Sequence, residues 1–472
     1  MKITDTAEYR SYICAHIPSG IAVRESTDST VLLATSEADG QITFHDDLNL
    51  AEFQIVRKKD RETSFYLHFA INDEQRCVDL FNEFCRSLLE EKKQKNLNIL
   101  LCCSSALTTS FFAEKLRAAA AALHLDYSFS AVPEESIYQE GFQYDMILLA
   151  PQVGYLLKKV RSALKDTPVL VIPTEIFGSY DSASCIRLIQ DEMQSRQHTS
   201  SELAAYKILH TFTNDAVILT IVYTWNFRRT KILYRIYDHG IIIYRDYVLK
   251  PWQARGIEEF RDIIESAMQS CSRRIDAIGI AYIGMISDGK VSGISHYHDV
   301  DMRSMLEERY GIPVMIENNV NCAAMGWYAQ QDRFQNIVFH SQPLGSLHGG
   351  QGIIVNGQLI RGFHSMAGEM VYTKYLGYPE EWGTFPQLWD PARTVELLGK
   401  VFTVDVGVIA PEVICCRSAL AQDMSLIRAE MLKSVPEFAM PELIHIDDFE
   451  SYIFIGIMIL TLQDYHERRA EK

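Results

Sequence analysis

The chain has no apolar run long enough to cross a bilayer: its longest, around residues 452–462, falls far short of the roughly 20 residues a spanning helix needs. It also lacks an opening basic and apolar leader, so the expected location is the cytoplasm. Cysteines paired at metal-ligand spacing are missing too. The 10 cysteines are scattered, and the two adjacent pairs, Cys102-Cys103 and Cys415-Cys416, sit inside apolar stretches, as in a reduced compartment. Positive charge is in deficit, with 45 Lys and Arg against 61 Asp and Glu and a net charge of -16. No helical stretch concentrates the basic residues, so no nucleic-acid partner is expected. What the chain has in quantity is hydrophobic residues, 47% of 472, too many for one core and enough for several.

One stretch carries chemistry. Ile99-Leu100-Leu101-Cys102-Cys103-Ser104-Ser105-Ala106-Leu107-Thr108-Thr109-Ser110 reads as an apolar strand, a cysteine, a small-residue loop and a helix start. Such a loop turns successive backbone N–H groups round one point at the positive end of a helix dipole, which favours a dianion. The same field favours the thiolate, the nucleophilic form of Cys103. Ser104, Ser105, Ala106, Leu107, Thr108, Thr109 and Ser110 are therefore the candidate phosphate-binding residues. From these residues alone, an equal alternative is that Cys102 and Cys103 are small apolar residues closing a strand. The stretch that follows predicts a helix with Phe112, Leu116, Ala119 and Leu123 on one face, then strands at 127–132, 146–150 and 169–172 and helices at 153–164 and 186–193. That alternation predicts a small doubly wound parallel α/β sheet.

Residues 97 to about 195 resemble the enzyme IIB domains of the lactose/cellobiose class in the bacterial sugar phosphotransferase system. The resemblance rests on the apolar residues before Cys103-Ser104 and their Ser/Thr-rich loop, on Ala150-Pro151-Gln152-Val153 followed by Tyr155, and on the strand at 169–172. It implies a flavodoxin-like four-stranded parallel α/β domain over residues 97–196. It further implies a catalytic Cys103 that takes a phosphoryl group from the histidine of a IIA partner and passes it to a sugar in a membrane IIC transporter. Cys102 matches an apolar strand position, Ala106 stands where a glycine is usual, and Leu107 where methionine is common.

Residues 1–92 read as a separate α+β module for packing or interaction. Alternation at Ile42/Phe44, Phe53/Ile55 and Phe65/Leu67/Phe69 predicts antiparallel strands, with Asp39-Gly40 as a hairpin turn. The module is expected to open on strands and to hold one helix, carrying Val78, Phe81, Phe84, Cys85 and Leu88 inward. The charged run Glu90-Glu91-Lys92-Lys93-Gln94-Lys95 reads as its closing linker.

Residues 205–472 open on apolar strands at 217–223, 232–237 and 241–244, the last two joined by Asp238-His239-Gly240, then a helix at 257–271 and a strand at 275–282. The segments Gly311-Ile312-Pro313-Val314-Met315-Ile316-Glu317-Asn318-Asn319-Val320-Asn321, Gly349-Gly350-Gln351-Gly352-Ile353-Ile354-Val355-Asn356-Gly357 and Ala367-Gly368-Glu369 follow in order. This pattern is similar to the ROK family of sugar kinases and sugar-responsive repressors, which implies a two-lobed actin-like α/β domain. Asn318, Asn319 and Glu369 match its sugar-binding positions. The resemblance also shows losses. Asn319 replaces the catalytic aspartate and cannot act as a base, and Tyr223-Thr224-Trp225-Asn226-Phe227-Arg228 replaces a glycine-rich phosphate loop. His348 replaces a second-loop glycine, and Val413-Ile414-Cys415-Cys416-Arg417-Ser418 replaces a Gly-Gly pair. Tyr372 stands for a histidine, and the zinc-binding Cys-x-Cys segment is missing, so neither metal nor cofactor is expected. The reading these features support is a IIB-like phosphocysteine protein coupled to a kinase-dead ROK-like domain that senses a sugar or sugar phosphate, with a regulatory output and a homodimer through the ROK-like part. The alternatives are an active ROK sugar kinase and a ROK-type transcriptional regulator without a recognisable DNA-binding domain.

Overall fold

The computed structural model describes residues 3–58, 61–91, 97–104, 107–123, 125, 127–165, 167–195, 215–225, 229–251, 257–292, 300–344, 349–370 and 390–470. The N-terminal part is an antiparallel run of strands Ala22–Ser26, Thr30–Ala34, Ala38–His45, Leu50–Arg57 and Thr63–Ala70, with helices Thr6–Ala15 and Glu74–Glu90. Asp73 caps the second helix by accepting from the Arg76 N–H at 3.0 Å. Three- and four-residue spacing then brings Cys77, Leu80, Phe81, Phe84, Cys85 and Leu88 into the core, where each buried Phe stabilises by about 2–3 kcal/mol.

Two expectations fail here for local reasons. The chain opens on a helix, because Asp5 caps it through the Glu8 N–H at 2.8 Å. That helix buries only Thr6, Tyr9 and Ile13, too thin a stripe to show in the sequence. Asp39-Gly40 is no turn but lies inside the strand Ala38–His45. Gly40 is small because a Cβ there would come within 2.9 Å of Leu88 Cδ2 and 3.0 Å of Phe84 Cζ.

The N-terminal strands do not form a sheet of their own. Tyr66 in Thr63–Ala70 pairs with Leu249 in Ile241–Pro251, and one ten-stranded sheet continues through Arg229–Asp238, Val217–Trp225, Ala277–Tyr282 and Val314–Asn318. One apolar cluster spans both parts, from Ile3 to Leu88 and from Val217 to Ile316. Side chains fasten the seam: Arg76 forks onto Asp262, Lys250 donates to Glu83 at 2.9 Å, and His68 Nε2 bonds Tyr234 at 2.8 Å. Residues 1–92, expected as a separate module, therefore form one end of this ten-stranded sheet, which with its helices is lobe one, and residues 97–195 are inserted between the sheet's two halves. Edge-to-edge strand pairing leaves no local mark on a sequence, so this continuity could not be read there.

The inserted unit is a four-stranded parallel sheet in the order Tyr127–Pro133, Leu97–Cys103, Met146–Leu149, Val169–Val171. Period-two alternation gives it two apolar faces. Leu100, Cys102, Ile147 and Leu149 face a layer holding Val153 and Val160, while Ile99, Leu101, Met146 and Leu148 meet helices Leu107–Ala122 and Ser182–Ser195. On the first of these helices the buried apolar residues are Phe112, Ala113, Leu116 and Ala120. Leu123, expected on that face, lies past the helix end and is exposed.

Lobe two is a five-stranded sheet in the order Gln358–Ile360, Gly350–Val355, Ile337–Gln342, Val413–Ser418, Glu442–His445, backed by helices Pro391–Val408 and Met424–Met431. The apolar run at 452–462 lies in helix Phe449–Ala470, which packs against Asn319–Tyr328. The approach is so close that a Cβ on Gly456 would fall 1.7 Å from the Cys322 carbonyl oxygen. Among the described residues no helix is long and apolar enough to cross a membrane.

Candidate functional site

Cys103 closes its strand opposite Pro133 and is fully buried. Its Sγ shares a hydrogen bond with Thr109 Oγ1 at 3.1 Å, and Thr108 Oγ1 donates to it at 3.6 Å. Both threonines stand in the first turn of helix Leu107–Ala122, so the thiol lies at that helix's positive end. Thr109 is fully buried, whereas Ser104, Thr108 and Ser110 are exposed. Ser105, Ala106 and the side chain of Leu107 lie outside the described residues. Burial pushes the Cys102 thiol up to about 12, with Cys103 and Glu134 adding to the effect, so it is protonated and inert at neutral pH. At the rim, Tyr155 is exposed and donates to Glu134 at 2.6 Å.

The edge of the strands is tied to the segment that follows. The Ala150 N–H donates to the Cys102 carbonyl at 2.8 Å, and Pro151–Leu156 then winds as a 3-10 turn into helix Leu157–Ala163. The helix expected at 153–164 thus begins as a tighter turn, with Pro151 at its first position.

In the lobes, Asn318 caps helix Asn319–Tyr328: its Oδ1 accepts from Val320 N–H at 2.8 Å, and its Nδ2 donates to the Gly284 carbonyl at 2.9 Å. Asn319 is the first helical residue and half-buried. Glu369 is half-buried, and burial raises its carboxyl above the usual range. Lobe two reaches the same place through Arg361, whose Nε donates to Glu317 Oε2 at 2.7 Å. Glu317 is almost fully buried and also takes the Asn321 side chain at 2.9 Å. The Glu317–Arg361 pair ties the two lobes beside Asn318, a long-range contact that no motif announced.

At the described residues of the stretches where a nucleotide loop was sought, side chains are packed or bonded. Gln351 is buried and donates to Asp405 Oδ2 at 2.8 Å. The flanking glycine serves packing, since a Cβ on Gly352 would lie 2.6 Å from both Ala324 Cβ and the Val320 carbonyl. Arg417 lies one residue before the end of strand Val413–Ser418, its guanidinium 4.7 Å from the Phe449 ring centre and a nitrogen 3.3 Å from Ser341 Oγ. Asn226, Phe227, Arg228, His348 and Tyr372 lie outside the described residues, as does the side chain of Trp225.

Residues 98–183 match the family described as PTS system, Lactose/Cellobiose specific IIB subunit, and residues 229–375 match the ROK family. The chain joins a IIB segment to a ROK segment. It is 36% identical over 98 residues to the xylose repressor of Bacillus subtilis, covering 20% of this chain and 25% of that protein. With the xylose repressor of Lactiplantibacillus pentosus it shares 25% identity over 205 residues, 41% of this chain and 50% of the relative. The chain thus spans between a quarter and a half of these relatives' length. Among solved structures, a ROK family glucokinase from Streptomyces griseus in complex with glucose and AMPPNP aligns with 15% identity and a TM-score of 0.39, covering 52% of this chain and 99% of that one.

Two buried groups near the ROK lobe-two sheet escaped sequence reading. His340, in the centre of strand Ile337–Gln342, is fully buried, and neither ring nitrogen has a hydrogen-bond partner among the described residues; it lies edge-on against Phe402. Burial lowers its pKa to about 3, so it is a neutral core residue. Asp405, on helix Pro391–Val408, is raised to about 7 by burial, against the opposing pull of its Gln351 hydrogen bond. Among the described residues no group of three His, Cys, Asp or Glu side chains gathers to hold a metal.

Proposed function

We propose that Cys103 of the IIB segment is a phosphoryl acceptor and that the ROK segment binds a sugar or sugar phosphate without phosphorylating it, making the protein a regulatory sensor of phosphotransferase flux. The observation that carries this reading is a thiol at the carboxyl end of a parallel strand, bonded to Thr109 in the first turn of the next helix, within the segment that matches the IIB family. In the transfer, the Cys103 thiolate attacks the phosphorus of a phosphohistidine on a IIA partner. The S–P bond forms as the N–P bond breaks, the thiol proton having gone to solvent and the freed imidazole taking one up. Because Cys103 is fully buried, its surroundings must move for the donor to reach it.

The ROK segment supports the sensing half. Asn319 is an amide and cannot accept the hydroxyl proton of a sugar, and buried Gln351 fills the glycine loop where nucleotide phosphates would need close backbone approach. The xylose-repressor relatives favour regulation over catalysis for this half. Incubation with phosphoenolpyruvate and the general phosphotransferase proteins tests the reading: a thiol-linked phosphate on the wild type and none on Cys103→Ser is expected. An unlabelled wild type would sink it.

A further inference from the structure

Three side chains just past the strands of lobe two, at its carboxyl edge, are partly buried. Leu344 follows strand Ile337–Gln342, and Ala419 and Leu420 follow strand Val413–Ser418; all three pack against the IIB apolar cluster that contains Cys102, Cys103, Leu149 and Val153. Polar groups fasten the same contact. Lys165, just past helix Leu157–Ala163, donates to the Asp447 carbonyl at 2.8 Å. Lys159 on that helix adds its field to the Ser425 hydrogen bonds that hold the Asp423 carboxyl low. The IIB segment therefore sits on the strand-end edge where an open α/β sheet ordinarily takes a ligand.

Resting on the reading of Cys103 as a phosphoryl acceptor, we propose that this contact is a built-in regulatory interface through which charge at Cys103 is transmitted to lobe two. The route is short. Cys103 and the three lobe-two side chains border one cluster, and the Ala150–Cys102 hydrogen bond couples the cysteine strand to the turn and helix that meet lobe two. A phosphoryl group brings about two negative charges at neutral pH, and an apolar cluster cannot hold them without rearranging. The packing that must yield is that of Leu344, Ala419 and Leu420 against this cluster, on which Leu156 and Leu157 also pack. By linkage, a ligand that changes lobe two changes the phosphorylation of Cys103 in turn.

Hydrogen–deuterium exchange on the full chain tests this. Leu420→Asp should raise exchange about tenfold or more in residues 157–163 and 413–421 while sparing the N-terminal strands; unchanged exchange in 157–163 would show that the interface does not hold. Cys103→Asp, compared with Cys103→Ser, should change exchange in 413–421, and Leu420→Asp should erase that difference. A difference confined to residues 97–123 overturns the coupling. Should Cys103→Asp fail to fold, the enzymatically phosphorylated wild type takes its place, with intact mass counting the added group: phosphoryl uptake without change in 413–421 also overturns the coupling. Absence of uptake removes the phosphocysteine premise and the coupling with it, and leaves the interface itself to be judged by Leu420→Asp.

Discussion

Two strand-end edges of this molecule have gone opposite ways. At the IIB edge a parallel strand ends in Cys103, with two threonine hydroxyls, exposed Ser104 and Ser110, and a helix's positive end around it. At the lobe-two edge Arg417 lies one residue before a strand end, against Phe449, and Leu344, Ala419 and Leu420 lie against a neighbouring core, with Gln351 bonded to Asp405 behind them. Small and hydroxylated residues leave room for an anion; long and apolar ones occupy the room themselves. Both edges are strand ends of the kind where an anion can bind, and on the proposed reading the side chains let only the IIB edge take one.

The largest effect expected from breaking this contrast is all-or-none. Cys103→Ser abolishes thiol-linked phosphate, whereas Cys102→Ser, at a thiol held near 12, leaves labelling intact, as counted by intact mass after phosphoenolpyruvate-driven transfer. Next comes acid stability of the filled lobe. His340 is lowered to about 3 in the folded chain, so the unfolded chain binds the extra proton first as pH falls. Its contribution is complete above about pH 6.5 and is lost at up to about 1.4 kcal/mol per pH unit below it. His340→Phe should flatten the pH dependence of denaturant midpoints between pH 7 and 4.5. Asp405 runs the other way: raised to about 7, it destabilises progressively as pH rises from its unfolded value towards 7. Asp405→Asn, which can still accept from Gln351, should raise the thermal midpoint at pH 8 and leave it nearly unchanged at pH 4. The smallest effect sharpens the contrast most. Asn319→Asp restores a carboxylate yet should produce no sugar-dependent ATP consumption, because the nucleotide edge stays filled.

How much of this could be read in advance follows from the range of the interactions. The cysteine strand, its parallel neighbours and the His239-Gly240 turn, with φ of 51 and 78, are encoded within a few residues and were legible. Cys103 could be singled out as a candidate from the sequence because strand, small loop and helix are contiguous. The Glu317–Arg361 tie, the Gln351–Asp405 bond and the seam at Tyr66–Leu249 join residues 44, 54 and 183 apart, and nothing nearby in the chain signals them. Gly40 misled for a related reason: a glycine that makes room for a distant side chain looks the same as one that makes a turn.

The insertion of residues 97–195 between two halves of one sheet gives the IIB segment a pair of tethers to the same body, besides its contact with lobe two. A module anchored at both ends stays at high effective concentration near its docking surface even when that contact opens.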